Sequence, residues 1–213
     1  MSPRPYRLGV RADAVDETRQ RVVAAARERL SESGYHGTSV DDVARRADVA
    51  RATVYHQFGS KVGLLEAVIE DFERRAGLPA LARLVEEAPA HRLLGRVVAA
   101  GCRYWATDPV LCRKIINLGA ADPEVSALLE RHDAGRERLL ARMLDRLADA
   151  GELRPGCSRA EAADVLWLVT SFDAFDLLTR GGRRSPAVAA RRLTGLAERQ
   201  IARAAADRGT LRA

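Results

Sequence analysis

The sequence predicts an all-α protein, and three observations carry that expectation. Apolar residues recur at helical spacing through nearly every segment, with no run alternating at the period of a strand. The apolar content is mostly Ala and Leu, with aromatics at only 5%, a mixture that favours helix over sheet. Helix starts are marked by a capping residue, often followed by proline at the first helical position. A chain of 213 residues, 47% hydrophobic and 30% charged, has enough apolar material to fold around a core.

A first helix is expected from about Val15 to Ser33, with Val22, Ala25, Ala26 and Leu30 on one face and Gly34 as its stop. Ser39 then caps a short second helix whose Val40, Val43, Ala44 and Ala47 form one stripe, and Asp42 suits its positive end. A third helix runs from Arg51 to Phe58, ended by Gly59. Ser60 caps a fourth, with Leu64, Leu65, Val68, Ile69 and Phe72 inward. Beyond Gly77, Asp108-Pro109, Asp122-Pro123, Ser185-Pro186 and the Ser158/Glu161 capping box set further starts. Helices are expected at 79–87, 91–106, 109–118, 123–150, 159–180 and 186–207.

The second and third helices, separated by a tight turn at Asp48 and Val49, have the helix-turn-helix arrangement, in which one helix braces and the next enters the major groove of DNA. Asp48 falls where the turn needs positive φ, which Asp tolerates better than most residues.

The stretch from Gly34 to Leu65 resembles the N-terminal pattern of the TetR family at Gly34, Tyr35, Thr38, Ser39, Val40, Val43, Ala44, Ala47, Val49, Thr53, Tyr55, Phe58, Lys61 and Leu65. The resemblance implies that Thr38, Tyr55 and Lys61 hold phosphates, roles their chemistry suits. Base reading is then expected from Arg51, Ala52, Thr53 and His56 on the outer face of the third helix. Arg51 is the candidate for a guanine, and Ala52 or the Thr53 methyl for a thymine methyl. Tyr55 can be partly core with only its hydroxyl at the surface, and His56 can instead pack on Gln57. Two positions depart from the family pattern: Ala50 stands where Ser or Thr usually caps the third helix, and Val62 replaces a common acid.

This divides the chain into a DNA-binding domain at 1–60, with a basic arm at 1–12, and a helical effector-binding and dimerisation domain at 61–213, joined through helix four at 61–76. In the family the last two long helices pair with their copies. A stripe of Leu193, Leu196, Ala197, Ile201, Ala204 and Ala205, and an apolar run from Val165 through Val169 to Phe172, are compatible with that. The expected homodimer would set two third helices about 34 Å apart, the spacing of a palindrome. The family's effector pocket is expected to draw on Trp105, Trp167, Phe172 and Phe175, with Cys102, Asn117 and Asp173 as polar partners. Asp173 and Asp176, amid apolar residues, are candidates to pair with arginines across a dimer.

The net charge of +6 does not locate a DNA site, because residues 1–77 carry only +1 of it, although the arm holds Arg4, Arg7 and Arg11 and no acid. No apolar stretch follows those arginines and no apolar run approaches the roughly 20 residues of a membrane span, so the expected location is the cytoplasm. No metal or cofactor motif is visible and none is expected. The reading is a double-stranded-DNA-binding transcriptional regulator, a repressor that an unidentified small-molecule effector releases from a palindromic operator. Two alternatives stand beside it: a redox-responsive regulator using Cys102, Cys112 or Cys157, and an all-helical enzyme, for which no constellation of catalytic groups is seen.

Overall fold

The computed structural model describes residues 6–203, with side chains from Val15 onward. Among them are eleven α-helices: α1 Tyr6–Ser33, α2 Val40–Arg46, α3 Arg51–Phe58, α4 Lys61–Arg75, α5 Leu78–Glu87, α6 Ala90–Ala106, α7 Pro109–Gly119, α8 Pro123–Asp149, α9 Arg159–Val169, α10 Phe172–Thr179 and α11 Pro186–Ile201. Among the described residues the only extended pairing is a single antiparallel bridge between Leu153 and Ala202. No described helix is long and apolar enough to cross a membrane. The side chains of the basic arm, and Ala204 and Ala205, lie outside what is described.

The chain forms two compact units, Met1–Phe72 with Val110–Leu129, and Glu73–Pro109 with Glu130–Ala213. This differs from the boundary expected at residue 60. The apolar face of α4 belongs to the first core through Leu64, Leu65, Val68 and Ile69, and so do Leu111, Ile115 and Leu118 of α7 and Val125 and Leu128 of α8. An amphipathic stripe shows that a face will be covered, not by what. Lys114 of α7 ties this arrangement by donating to the carbonyls of Leu30 and Ser31 at the end of α1, the first of which also accepts from the Gly34 amide at 3.0 Å.

The expected caps form. Ser39 accepts from the Asp42 amide at 3.0 Å, Ser60 from Gly63 at 3.0 Å and Ser158 from Glu161 at 3.1 Å. Asp48 has φ 54° and closes α2 as a Schellman turn: its amide reaches the Arg45 carbonyl, and the Val49 amide reaches Ala44. A β-branched side chain at that φ is a steric outlier. Asp48→Val is therefore expected to cost about 1–2 kcal/mol and to lower the melting temperature in calorimetry, while Asp48→Gly melts close to the parent. Equal melting of the valine variant would show that the turn is not strained.

Three boundaries depart from expectation. α1 begins at Tyr6 rather than Val15, since the Arg- and Ala-rich stretch ahead of Val15 holds good helix formers. The helix expected over 159–180 is two: α9 ends at Val169 with Thr170 as its cap, and Ser171, in an extended conformation, caps α10 by accepting from the Ala174 amide at 3.1 Å. The Thr170 hydroxyl turns back to the Leu166 carbonyl at 2.7 Å, a local bond of the kind that competes with helix continuation. α11 ends at Ile201, where Ile201 and Glu152 carbonyls accept from the Arg154 and Arg203 amides.

In the second unit, α6 packs on α5 and α11, and α11 also on α9 and α10. Its core includes Leu93, Val98, Met143, Leu144, Leu166, Phe175, Leu193, Ala197 and Ile201.

Candidate nucleic-acid interface and ligand cavity

In α3 only Val54 is buried, at 2% exposure. Arg51, Ala52, Tyr55 and His56 are exposed, and Thr53 is half-buried. Ala50 provides no side-chain cap, as the absence of a hydroxyl requires, and the Thr53 amide turns instead to the Ala50 carbonyl at 2.9 Å. Gly59, at φ 72°, ends the helix.

Arg51 does not hang free. Nη1 donates to Asp41 at 2.8 Å, and the guanidinium lies 5.4 Å from the Tyr55 ring. Its pKa is raised, first by the hydrogen bond to the Tyr55 hydroxyl and then by the charge of Asp41. Both members of the Arg51–Asp41 pair are more than half exposed, so solvent screens it and it can be exchanged for another acceptor.

Tyr55 is 40% exposed, which puts ring as well as hydroxyl at the surface. Lys61 is half-buried, its ammonium 4.2 Å from the centre of the Tyr35 ring. Burial lowers its pKa, opposed by Asp122, and burial followed by Asp122 and Glu124 raises that of Tyr35. Thr38 is a correction: only 4% exposed, it donates its hydroxyl proton to the Gly34 carbonyl at 2.7 Å. Its proton is already committed inside the turn, so it is a structural latch and offers no donor to a phosphate.

Sequence reasoning missed Gly63. A Cβ on Gly63 would stand 2.1 Å from the Phe58 carbonyl oxygen, so the α3–α4 corner closes only because that residue has no side chain. The available signal is a glycine in the first turn of a helix, where it costs about 1 kcal/mol against alanine.

The second unit contains a cavity of about 340 Å³. Leu78 and Leu81 of α5, Val97 and Trp105 of α6, and Leu139 and Leu140 of α8 supply its apolar walls. Its polar lining includes Glu73, Tyr104, His132, Asp133, Arg136 and Thr170. His132 Nδ1 is 2.8 Å from Glu73, and the Trp105 indole donates to the Thr170 carbonyl at 2.9 Å.

Of the residues expected in an effector pocket, Trp105 lines this cavity; Phe172 is not among the lining residues and packs behind, its ring edge-on to that of Trp105 at 5.5 Å. The others are elsewhere. Asn117 is exposed on α7 in the first unit, Cys102 and Phe175 are buried in packing, and Trp167 is 37% exposed. Asp173 is exposed, and Asp176 is buried and accepts from Nε of Arg180, the residue that caps α10, at 2.8 Å within the protomer. The missed residues were signalled in α8, where His132 and Arg136 occupy the helical face that continues through Leu139, Leu140 and Met143.

The expected dimer residues also divide. Val169, Leu193 and Ile201 are enclosed within the protomer at 8%, 4% and 0% exposure, and Val165 is half-buried. They fill the protomer's own core and have no surface to offer a partner. Leu196 is exposed, and α9 and α10 add Trp167, Leu168 and Leu177, the last two more than 60% exposed.

The thiols are poor redox candidates. Burial pushes Cys102 up to about 11 and raises Cys157 also, and Cys112 is buried, whereas oxidation proceeds through accessible thiolate. Among the described residues no group of three or more His, Cys, Asp or Glu could hold a metal ion.

Comparison with known proteins agrees with this geometry. The family model for bacterial regulatory proteins, tetR family, matches residues 22–68, which span the end of α1 through most of α4. The HTH-type transcriptional regulator UidR of Escherichia coli K12 is 30% identical over 153 residues, covering 70% of this chain and 76% of UidR. A TetR-family transcriptional regulator structure from Rhodococcus sp. superposes with a TM-score of 0.72 at 19% identity, over 88% of this chain and 100% of that one. FadR from Bacillus subtilis, solved in complex with stearoyl-CoA, gives 0.66 at 20% identity, over 84% and 96%. The chain belongs to the tetR family of bacterial regulatory proteins and is an HTH-type, DNA-binding transcriptional regulator.

Proposed function

We propose that the protein is a homodimeric repressor that reads a palindromic operator with α3 and releases it when a small molecule fills the cavity of the second unit. The observation that carries the reading is the exposed outer side of α3: Arg51, Ala52, Tyr55 and His56 face solvent while buried Val54 and half-buried Phe58 anchor the helix on the core. That is the exposure a helix needs to enter the major groove. Arg51 is assigned to a guanine, having exchanged Asp41 for the base. Ala52 and Thr53 are assigned to a thymine methyl and His56 to a neighbouring base or phosphate. Tyr55 and Lys61 are assigned to phosphates, Lys61 by leaving the Tyr35 ring. Reading remains with the first unit and effector binding and dimerisation with the second, in the cytoplasm where the operator is.

Supporting the effector role, a cavity of this size is at the small end of the range for ligand sites. α4 runs unbroken from Lys61, beside the reading helix, to Glu73 and beyond, and Glu73 is a cavity residue. A ligand must prefer the release state by several kcal/mol to empty the operator.

The test is selection of bound DNA from random duplexes, followed by titration over a salt series. A palindrome is expected. Lys61→Ala should flatten the slope of log affinity against log salt by about 1 per protomer, with the base preference retained. Arg51→Ala should relax preference at one base pair in each half-site, at a cost of about 1–3 kcal/mol there. Uniform loss across all sequences in the Arg51 variant would overturn its assignment as the base reader.

A further inference from the structure

We infer that the cavity is selective for a carboxylic acid with an apolar body, held by its carboxylate on Arg136. The inference rests on reading the cavity as the effector site and adds the chemical class of the effector.

Arg136 stands in a largely apolar wall, between Trp105 on α6 and Leu139 and Leu140 on its own helix. Its side chain is only 21% exposed. One Nη2 donates to the Trp167 carbonyl and, at 3.1 Å, to the Thr170 hydroxyl, and the guanidinium plane lies 3.9 Å from the Trp167 ring. These partners are neutral. The nearest charged one, Asp133, is 3.8 Å from Nη1 and is itself mostly exposed, and Nε is buried with no partner. Burial lowers the pKa of Arg136, opposed by Asp133, but a guanidinium keeps its charge in a protein. The site therefore holds a desolvated cation without a carboxylate at hydrogen-bond distance, the arrangement that gains most from one.

The other arginines at the wall, Arg131 and Arg142, are exposed to solvent, and two of the charges there are matched already. Glu73 has His132 at 2.8 Å and Arg142 has Glu86 at 2.9 Å. Arg136 is the lining arginine shielded from solvent, and one shielded cation suits a monoanion better than a dianion such as a phosphate ester. Tyr104 and Trp105 offer rings to a quaternary ammonium, but Arg136 in the same wall repels one. The apolar residues set the rest of the ligand: a single ring or short chain, given the volume of about 340 Å³.

The full-length protein is titrated calorimetrically with a panel of phenylalkanoic acids of increasing chain length, with the matching amides, and with phenylalkyl-trimethylammonium ions of the same lengths. Operator release is followed in parallel by fluorescence anisotropy of a labelled duplex. At least one acid should bind tenfold or more tightly than its amide, and the ammonium ions should not bind. Arg136→Gln should erase the gap between acid and amide. Because Arg136 also ties the end of α9, Arg136→Lys serves as the variant that keeps the charge, and it should retain a reduced gap.

Amides binding as well as acids, a preference for the ammonium ions, or no binding by any acid each overturns the inference. Acids that bind through Arg136 without releasing the operator leave this assignment standing and overturn the effector reading. Amides that release the operator do the reverse.

Discussion

Leu168→Glu combined with Leu177→Glu is expected to yield a monomer in sedimentation equilibrium and to weaken operator binding by about 100-fold or more. Leu168 is 65% exposed on α9, Leu177 63% on α10 and Leu196 46% on α11, with Trp167 beside them at 37%. These helices pack on one another. Scattered apolar side chains are ordinary on a soluble surface, but four large ones on three adjoining helices suggest a face that a partner covers. The drop in affinity is large because two linked reading helices bind the second half-site at an effective concentration that separate chains lack, a gain of about 10²–10⁴. Both substitutions are at exposed positions, so helix content by circular dichroism should not change. A variant that stays dimeric with full operator affinity would place the interface elsewhere.

Gly63→Ala should destabilise the protein and cut operator affinity at least tenfold, although helix propensity alone predicts the opposite. Replacing a helical glycine with alanine is worth about 1 kcal/mol in favour of the helix. Here the added Cβ would stand 2.1 Å from the Phe58 carbonyl oxygen and 3.3 Å from its carbon. Both are backbone atoms, so no side-chain rotation relieves the overlap, and overpacking of this kind costs about 1–3 kcal/mol. The steric term therefore wins. Relief requires the end of α3 to shift, which displaces the helix assigned to the groove. Thermal melting together with anisotropy on the selected duplex checks both effects; an unchanged melting temperature with unchanged affinity would mean the corner is looser than its geometry.

What the sequence made legible was local. Ser39, Ser60 and Ser158 cap helices because a hydroxyl two or three residues from a free amide acts within one turn, and Asp48 closes α2 because its backbone tolerance is its own. The stripes of α2 and α4 are buried as their spacing requires.

Partners were not legible. Val169, Leu193 and Ile201 have the spacing of an interface, yet the surface they cover belongs to their own chain, and periodicity does not distinguish the two cases. Thr38 shows the same limit at a single atom, since its hydroxyl has the chemistry of a phosphate donor and an internal acceptor took it. The cavity was harder still. Trp105 was found through its aromatic ring, whereas Arg136 reads in sequence as one more surface arginine on a helix rich in them.

The position of residues 110–129 bears on how the protein is made. Leu111, Ile115, Leu118, Val125 and Leu128 complete the packing around Val22, Val43 and Leu65, so a nascent chain that has emerged only to the end of α4 still has an open apolar seam. The N-terminal helices therefore cannot complete their core until some 50 more residues have left the ribosome.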